Sequence, residues 1–285
     1  MSMTKHVQRW LVDNDFGQVT RKERVAGGSI NISSRLYLSD GRRVFLKQHD
    51  SAPAQMFIAE AAGLNALHQA KSLRVPKVLH VAESFLLLED LGSGQPDKTF
   101  WQDLGSGLAE LHRNRQSQFG FSTDNYCGST PQVNTPTDDG FEFFANFRIR
   151  KLALTAWERK LLDSASLNAL EYIAENLSQW IPPQPAVLIH GDLWSGNIHC
   201  DEHGKPALID PAAYWGWAEA DLAMTRLFGG FGESFYASYA EHSGMASNWQ
   251  ERVPLYNLYH LLNHLLLFGS SYAGQIEATC RRYAP

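Results

Sequence analysis

Two short polar segments, each following an apolar run, most restrict what this chain can fold into. The first is HGDLWSGNIHC at residues 190–200, and the second is ALIDP at residues 207–211. Apolar residues on both sides of the first segment predict a short buried strand, a loop and a second strand. Asp210 ends the second apolar run, thirteen residues after Asn197. The pattern raises the hypothesis that Asp192, Asn197 and Asp210 act together in one site.

Length and composition indicate a soluble globular protein with two lobes. A chain of 285 residues exceeds the size at which a single core is the default. Hydrophobic residues make up 44% of the chain and charged residues 19%, which is typical of globular proteins and not of disordered ones. The net charge of −5 and the pI near 6.1 favour a small-molecule partner over nucleic acid, which would favour a strongly basic face.

The apolar segments and the cysteines predict a reduced, cytoplasmic protein. The first ten residues lack the apolar core of a secretion signal, and residues 258–268 are too short and too polar to span a bilayer. Cys127, Cys200 and Cys280 form neither a CxxC pair nor a metal-ligand spacing, so we expect free thiols. We expect no membrane partner and a monomer.

The first ninety residues read as a small sheet with one long helix, after a first helix near residues 4–13. Residues 19–48 alternate apolar and polar residues around GG and DG pairs, which predicts three strands joined by turns. Residues 54–70 have helical periodicity and good helix formers. Residues 74–81 and 84–91 predict two further strands.

Beyond the GSGQPD segment at residues 92–97, a predicted linker or hinge, the chain becomes mostly helical. The predicted elements are a helix at 100–115, a Thr-, Pro- and Asn-rich loop at 122–140, long helices at 141–181, strands within 186–211, and C-terminal helices. The fold class is therefore α+β: a small, mostly β N-terminal lobe over residues 1–91 and a larger, mostly α C-terminal lobe over residues 92–285.

The spacing of the polar residues matches the parts that kinases use for phosphoryl transfer. Four residues separate Asp192 from Asn197, as in the kinase catalytic loop, where the aspartate orients the acceptor hydroxyl and the asparagine holds a metal. Asp210 lies where the second metal-binding aspartate is expected, and such oxygen ligands suit Mg²⁺. The alternative is a capped turn in which Asp192 bonds its own backbone, but a chance turn does not predict the second carboxylate. His190 is better explained as a packing residue than as a proton shuttle.

The N-terminal lobe offers candidates for binding nucleotide phosphates. Gly27, Gly28 and Ser29 fall between two strands, where small residues let backbone N–H groups approach phosphate oxygens; an ordinary hairpin turn would look the same. Lys47 ends an apolar strand and could reach the phosphates, or it could be a solvated lysine at a sheet edge. Glu60 on the next helix is the candidate ion-pair partner of Lys47, or a solvent-facing glutamate.

The segment LLLEDLG, at residues 86–92, runs from a strand into the predicted linker. Kinases bind adenine through backbone hydrogen bonds at such a position. We therefore expect Glu89 and Leu91 to offer main-chain groups to a nucleotide base, and an ordinary buried strand is the alternative.

Together these residues resemble a known family. The segments HGDLWSGN, IDPAAYWGWAEADLAM, GGSIN, and GSTPQVN leading to FEFFANFRI are similar to the fructosamine (ketosamine) kinase family, within the aminoglycoside-phosphotransferase-like protein kinase superfamily. The resemblance covers nearly the whole chain. The HGDxxxxN pattern specifies only the superfamily, whereas Trp194, IDPA and TPQVN are narrower markers.

The resemblance implies a bilobal protein-kinase-like fold and phosphorylation of the 3-hydroxyl of a ketosamine sugar, dependent on ATP and Mg²⁺. The N-terminal lobe would bind nucleotide, and the C-terminal lobe would hold the catalytic and substrate-binding residues. Carried over position by position, the implied roles are Asp192 as catalytic base, Asn197 and Asp210 as metal ligands, Lys47 as phosphate-binding lysine, and Glu60 as its partner. Asp221 matches a position that in kinase folds braces the catalytic loop through backbone hydrogen bonds, and contact with the substrate is the alternative.

The sequence departs from the family pattern at one position in the phosphate loop and at one aromatic position. Ser29 replaces the cysteine of the common GGGCIN loop, which puts thiol-based control at that position in doubt. Phe141 replaces a frequent tryptophan and should preserve an aromatic wall. Trp194, Trp215 and Trp217 could line the sugar and amine side of the cleft, or they could pack against the catalytic loop.

Two other functions remain possible at this point. A kinase of the same fold could act on an aminoglycoside or a choline-like hydroxyl, because fold does not determine function. A nucleotide-binding pseudokinase is the other alternative, and the joint presence of the lysine, the glutamate, the asparagine and both aspartates argues against it.

Overall fold

The computed structural model describes residues 3–25, 31–49 and 51–285. Within them the strands are β1 (Val19–Val25), β2 (Ile32–Leu38), β3 (Arg43–Gln48), β4 (Val78–Val81), β5 (Phe85–Glu89), β6 (Arg115–Gln116), β7 (Asn125–Cys127), β8 (Thr130–Gln132), β9 (Ala186–Ile189), β10 (Ile198–Cys200), β11 (Pro206–Leu208) and β12 (Tyr214–Gly216). The helices are α1 (Met3–Asp13), α2 (Met56–Ala70), α3 (Phe100–Leu111), α4 (Gly140–Phe144), α5 (Lys151–Glu158), α6 (Ser164–Glu175), α7 (Ala218–Leu227), α8 (Glu233–Ser243), α9 (Val253–Phe268) and α10 (Ala273–Tyr283).

The first five strands form one antiparallel sheet in the order β1-β2-β3-β5-β4. Strand β5 is a continuous apolar run because both of its faces are covered. Phe85 and Leu87 pack with α1, whereas Leu86 and Leu88 join the cluster that contains Phe57 of α2. Side chains alternate between the two faces of a strand, so a strand covered on both sides needs apolar residues throughout.

The larger part of the chain is mostly helical and surrounds α9. The helix α9 is apolar on nearly every side, with buried residues that include Leu255, Leu258, Leu262 and Leu265. Helices α5, α7 and α10 pack against it. A helix that is apolar all around belongs in the interior, so α9 forms the centre of the C-terminal lobe. The α+β, two-lobed arrangement predicted from the sequence is confirmed.

Residues 92–97, which follow the five-stranded sheet, lie against the hairpin formed by β10 and β11. The Gly94 N–H donates to the Cys200 carbonyl at 3.3 Å, and the Glu202 N–H donates to the Leu91 carbonyl at 3.0 Å. A Cβ on Gly94 would lie 2.4 Å from the Asp201 carbonyl oxygen, so this close approach requires glycine.

Two predicted segments differ from the structure. The predicted loop at 122–140 contains the β7–β8 hairpin, whose residues Asn125 and Gln132 are buried and hydrogen-bonded to each other at 2.7 Å. The sequence predicted a loop because these residues are polar. They form strands because their hydrogen-bond partners lie inside the protein. The predicted long helices at 141–181 are divided: α4 continues through a π-helical segment, Ala145–Arg150, into α5, and α6 begins only at Ser164.

No helix in the described part of the chain is both long enough and apolar enough to cross a membrane. The cysteines predicted to be free are free, and Cys127 and Cys280 are buried.

Candidate active site

A cleft of about 490 Å³ lies between the lobes and contains most of the residues that the sequence singled out. Those of the N-terminal lobe are Lys47, Glu60, Glu89 and Leu91, and those of the C-terminal lobe are Asp192, Trp194, Asn197 and Asp210. The tertiary structure therefore brings both predicted groups to one cavity.

Residues 190–197, which correspond to the predicted catalytic loop, follow the buried strand β9. The chain turns sharply at Gly191. This glycine has φ of +81°, and a Cβ there would lie 2.2 Å from the Ala212 carbonyl oxygen. Both facts explain why glycine stands between His190 and Asp192. The His190 ring contacts the Ile209 carbonyl oxygen at 2.9 Å, as expected for a packing histidine, and burial lowers the pKa of its imidazole.

Asp192 and Asn197 contact each other directly. The Asn197 Nδ2 donates to the Asp192 Oδ2 at 3.0 Å and to the Asp192 carbonyl oxygen at 2.8 Å. These bonds close the loop and orient the carboxylate. Asp192 does not simply cap its own turn, because its side-chain partner is the predicted metal-binding asparagine.

Asp221, in the first turn of α7, holds the loop from behind. Its two carboxylate oxygens accept the backbone N–H groups of His190 at 2.7 Å and Gly191 at 2.8 Å. The contact predicted for Asp221 is thus confirmed. Burial alone would raise the pKa of Asp221. The hydrogen bond and charge of His112, together with the contacts from the loop, outweigh burial and hold the pKa of Asp221 below its usual value. His112 is a partner that sequence reasoning missed.

Lys47 lies on the sheet face that points toward α2 and is 4% exposed. Its Nζ is 2.5 Å from the Glu60 Oε1 and 3.0 Å from the Asp210 Oδ1. The predicted ion pair with Glu60 is confirmed, and neither residue is a solvated surface group. Glu60 faces the sheet because it is three residues after Phe57 and four before Leu64, both buried on the same side of α2.

The two carboxylates keep Lys47 charged. Burial by itself would lower the pKa of Lys47, but the charges of Asp210 and Glu60 outweigh it and raise the pKa above its ordinary value. A permanent ammonium at this position suits an anionic ligand such as a phosphate.

For Asp192, burial favours the neutral form of the carboxyl group and is not outweighed by a nearby positive charge. Desolvation raises the pKa of Asp192 to about 7, against the hydrogen bond from Asn197, and the nearby charges of Asp210 and Asp221 raise it further. A carboxyl group with a pKa near neutrality can accept a proton and release it again, which is the requirement for a general base.

The donor set fits a hard divalent cation. The Asn197 Nδ2 is engaged with Asp192, so its Oδ1 is the atom left for a metal. The Asp210 side chain is 41% exposed and supplies a carboxylate, and its backbone has φ of +54°, a left-handed conformation that concentrates at functional sites. Oxygen ligands from one carboxylate and one amide, with room for waters and phosphates, match the usual Mg²⁺ site.

The backbone groups expected to bind a nucleotide base are only partly available. The Glu89 N–H donates to the Lys77 carbonyl at 2.9 Å, and the Leu91 carbonyl accepts from Glu202. Of the four main-chain groups of Glu89 and Leu91 that we expected to be offered to a nucleotide base, at most the Glu89 carbonyl and the Leu91 amide are left to bind it. The Glu89 side chain is engaged with Arg74 at 2.6 Å.

The expected phosphate loop falls at the edge of what the structure describes. Gly27, Gly28 and Ser29 lie outside the described residues. Asn31, which follows them, lines the cleft, and its Oδ1 is buried without a hydrogen-bond partner among the described residues.

Only one of the three tryptophans named from the sequence lines the cleft. Trp194 is 37% exposed and packs edge-on against Phe228 at 5.9 Å. Trp217 is 3% exposed and packs in the core of the C-terminal lobe against Phe141 and other aromatic residues. Trp215 is partly buried and packs against two hydrophobic clusters, one that contains Trp217 and one that contains Leu188. The expectation that Trp217 could line the cleft is wrong, because its ring fills the core.

Two residues near Asp192 were not singled out as site residues in the sequence. Cys127 and His260 lie beside the Asp192 carboxylate, with the His260 Nδ1 at 4.0 Å from the Asp192 Oδ1. A signal for His260 exists in the polar residues at 257, 260, 263 and 264 of a mostly apolar helix. Their spacing of three and four residues places them on one helix face. No comparable signal exists for Cys127.

Comparisons with known proteins identify the relatives of this chain. The sequence model described as "Fructosamine kinase" matches residues 3–284. The chain is 36% identical, over 282 residues, to the chloroplastic protein-ribulosamine 3-kinase of Arabidopsis thaliana, covering 93% of this chain and 83% of that protein.

Solved structures agree with this match. A candidate fructosamine-3-kinase from Thermobifida fusca superposes with a TM-score of 0.88 at 32% identity, covering 96% of this chain and 97% of the other. The streptomycin–ATP complex of APH(2'')-IIa superposes with a TM-score of 0.63 at 12% identity, covering 99% and 97% of the two chains. The second likeness shows a shared fold.

Proposed function

Because this chain belongs to the fructosamine kinase family, we propose that it transfers the γ-phosphoryl group of ATP to the 3-hydroxyl of a ketosamine. The acceptor is the adduct of an amine with a sugar, in fructosamine or ribulosamine form. The chain is a phosphotransferase with the two-lobed, protein-kinase-like fold.

The observation that best supports this proposal is the convergence of two charged groups in one cleft. Lys47 is held by Glu60 and Asp210, and Asp192 is held by Asn197. Phosphoryl transfer needs positioning and charge stabilisation more than covalent chemistry, and these two groups supply both. If Asp192 only capped a turn, Lys47 would not need to lie in the same cleft. If Lys47 only formed a structural ion pair, Asp192 would not need to lie there.

We assign each side chain the step that its surroundings permit. Asp192 orients the acceptor hydroxyl and receives its proton at a carboxylate oxygen. Lys47 binds phosphate oxygens of the nucleotide, and Glu60 keeps it in place. Asn197 and Asp210 would hold Mg²⁺, which when bound neutralises charge on the phosphates. Asp221 maintains the geometry of the loop.

The product of this reaction has a chemical consequence for the substrate. A phosphate on C3 lies next to the C2 carbonyl of the ketosamine. Enolisation toward C1 lets the nitrogen lone pair expel phosphate from C3, and hydrolysis of the resulting imine releases the free amine together with a 3-deoxyosone. The proposed role is therefore repair of glycated amines.

The test is a substrate panel with ATP and Mg²⁺, in which ADP release is measured for fructosyl-amines, ribulosyl-amines, aminoglycosides and choline. We expect turnover of a ketosamine, with phosphate located on C3 by ³¹P–¹H correlation NMR. Lys47→Met serves as the inactive reference, because it removes the ammonium at the phosphates. Turnover of an aminoglycoside with none of any ketosamine would refute the proposal.

The division of labour between the lobes follows from the same assignment. We propose that residues 1–91 form the nucleotide-binding lobe and residues 92–285 the catalytic and substrate-binding lobe. The boundary is supported by β5, which ends at Glu89, and by the contacts of residues 91–94 with the β10–β11 hairpin.

A further inference from the structure

A group of three side chains of the types that bind metals includes Asp192 and lies on its side away from Asn197. It consists of Cys127 at the end of β7, Asp192 itself, and His260 in α9. One ligand atom from each residue lies within 4.8 Å of the other two. The Asp192 Oδ2 is bonded to Asn197, whereas its Oδ1 faces the His260 Nδ1 at 4.0 Å.

The imidazole of His260 has an unsatisfied atom pointing into this group. His260 is 5% exposed, and its Nδ1 is buried without a hydrogen-bond partner in the described structure. An unpaired buried polar atom is costly and calls for a ligand or another explanation. Burial lowers the pKa of His260 to about 3, so the ring is neutral, which is the form that binds metals.

The hairpin that carries Cys127 is attached to the segment that follows Asp210. Asn125 Nδ2 donates to the Ala213 carbonyl at 2.9 Å, and Gln132 Nε2 donates to the Ala212 carbonyl at 3.1 Å. Both bonds attach the β7–β8 hairpin to the segment that follows Asp210. Cys127 is 2% exposed, so its position is set by packing and not by solvent.

We propose that Cys127, Asp192 and His260 form a binding site for a soft divalent cation of the Zn²⁺ type, and that occupation of this site inhibits phosphoryl transfer. One thiolate, one imidazole and one carboxylate are ligands that Zn²⁺ accepts, with the fourth position open. The thiol proton leaves to solvent when the sulfur binds the metal.

The geometry needs only a small adjustment. Tetrahedral Zn²⁺ with bonds of about 2.0–2.3 Å places its ligand atoms roughly 3.3–3.6 Å apart. The three ligand atoms now lie within 4.8 Å of one another, with 4.0 Å between the Asp192 and His260 atoms, so the side chains must draw together by roughly 1 Å to reach this spacing. Mg²⁺ would not compete here, because it prefers oxygen ligands, and its proposed ligands are Asn197 and Asp210.

Inhibition follows if the cation occupies the carboxylate oxygen that the acceptor hydroxyl needs. This consequence rests on the role proposed above for Asp192, whereas binding of the metal does not. The two can therefore be tested separately.

The binding test is a titration of the purified full-length chain with Co²⁺ as a spectroscopic substitute for Zn²⁺. We expect a near-ultraviolet thiolate-to-cobalt charge-transfer band that saturates at one Co²⁺ per chain. The band should disappear in Cys127→Ser and persist in the matched control Cys200→Ser, whose thiol lies on β10. His260→Gln should weaken Co²⁺ binding at least ~10-fold, as expected for a lost ligand contact.

The variants must be shown to unfold cooperatively, and Cys127→Ala provides a second replacement if serine is not tolerated in the buried position. Absence of the band in the wild-type chain, or its persistence in both folded Cys127 variants, would overturn the site.

The activity test measures ADP release at saturating Mg·ATP with increasing Zn²⁺. We expect the half-inhibitory Zn²⁺ concentration to rise at least ~10-fold in Cys127→Ser and to stay unchanged in Cys200→Ser. Increasing ketosamine should relieve the inhibition, and increasing Mg·ATP should not. Relief by Mg·ATP alone would place Zn²⁺ at the nucleotide site and refute the inhibitory mechanism. If no ketosamine is turned over, the proposed function fails, while the cobalt titration still decides the metal site.

Discussion

Replacing Glu60 by glutamine removes one of the two carboxylates that hold Lys47. Glutamine keeps the shape of the side chain and an acceptor oxygen, so the change is one of charge. In the present structure the Lys47 Nζ lies 2.5 Å from Glu60 and 3.0 Å from Asp210. Without the Glu60 charge, Lys47 should be drawn more strongly toward Asp210, which is the side chain proposed to bind the cation.

The size of the effect follows from these contacts. A hydrogen bond to a charged group contributes about 1.5–3 kcal/mol, and about 1.4 kcal/mol corresponds to a tenfold change in rate. We therefore expect Glu60→Gln to lower kcat/KM for ATP about 10- to 150-fold. The loss of folding stability should stay below about 3 kcal/mol, because Lys47 keeps Asp210 as a partner and is not left as an unpaired buried charge.

Steady-state ADP release at varied ATP and fixed excess Mg²⁺ measures the effect, with thermal unfolding as the check on folding. The control is Glu110→Gln, on α3, where the side chain is 55% exposed and pairs with the exposed Arg113; it should leave kcat/KM unchanged. A folded Glu60→Gln variant with kcat/KM within about threefold of wild type would refute the role assigned to the Lys47–Glu60 pair.

Three further predictions concern the acceptor side and the buried histidine. Asp192→Asn should lower kcat by ~10²-fold or more, as for a lost general base, with Mg·ATP affinity within a few-fold of wild type; Asp210→Asn should lower both, and nucleotide titration with kinetics separates the two. Trp194→Ala should raise KM for the ketosamine more than KM for ATP, because its ring is exposed in the cleft; equal effects on both constants would contradict this. His260 should make the protein acid-sensitive: its pKa is about 3 when folded and 6.5 when unfolded, so stability present above pH 6.5 is lost as the pH falls toward 3. By pH 4.5 this amounts to about 2–3 kcal/mol, and denaturant unfolding should show that His260→Asn loses less stability than wild type between pH 7.5 and 4.5; equal losses would refute the assignment.

Much of the site could be predicted because its information is local. The apolar runs around Asp192, Asn197 and Asp210 predicted a loop between strands, and the structure shows that loop closed by a hydrogen bond from Asn197 to Asp192. Alternation of apolar and polar residues predicted the first three strands, since such a strand meets a core at every second position, whereas β5 was predicted from its short apolar run. The buried polar hairpin at β7–β8 was missed for a related reason: its polar residues are satisfied by groups that only the folded chain provides.

The sequence by itself determined the features that depend on a few neighbouring residues: the strands and helices, the glycine at the left-handed turn before Asp192, and the set of reactive side chains. The tertiary structure alone decided which of these side chains meet. Lys47 and Asp210 are 163 residues apart along the chain, and Cys127 meets His260 through the packing of a hairpin against α9. Local propensity is a property of short segments, whereas such contacts depend on how whole elements pack. For the same reason Trp217 lies in the core and Trp194 in the cleft, although the sequence presents both as aromatic residues near the catalytic loop.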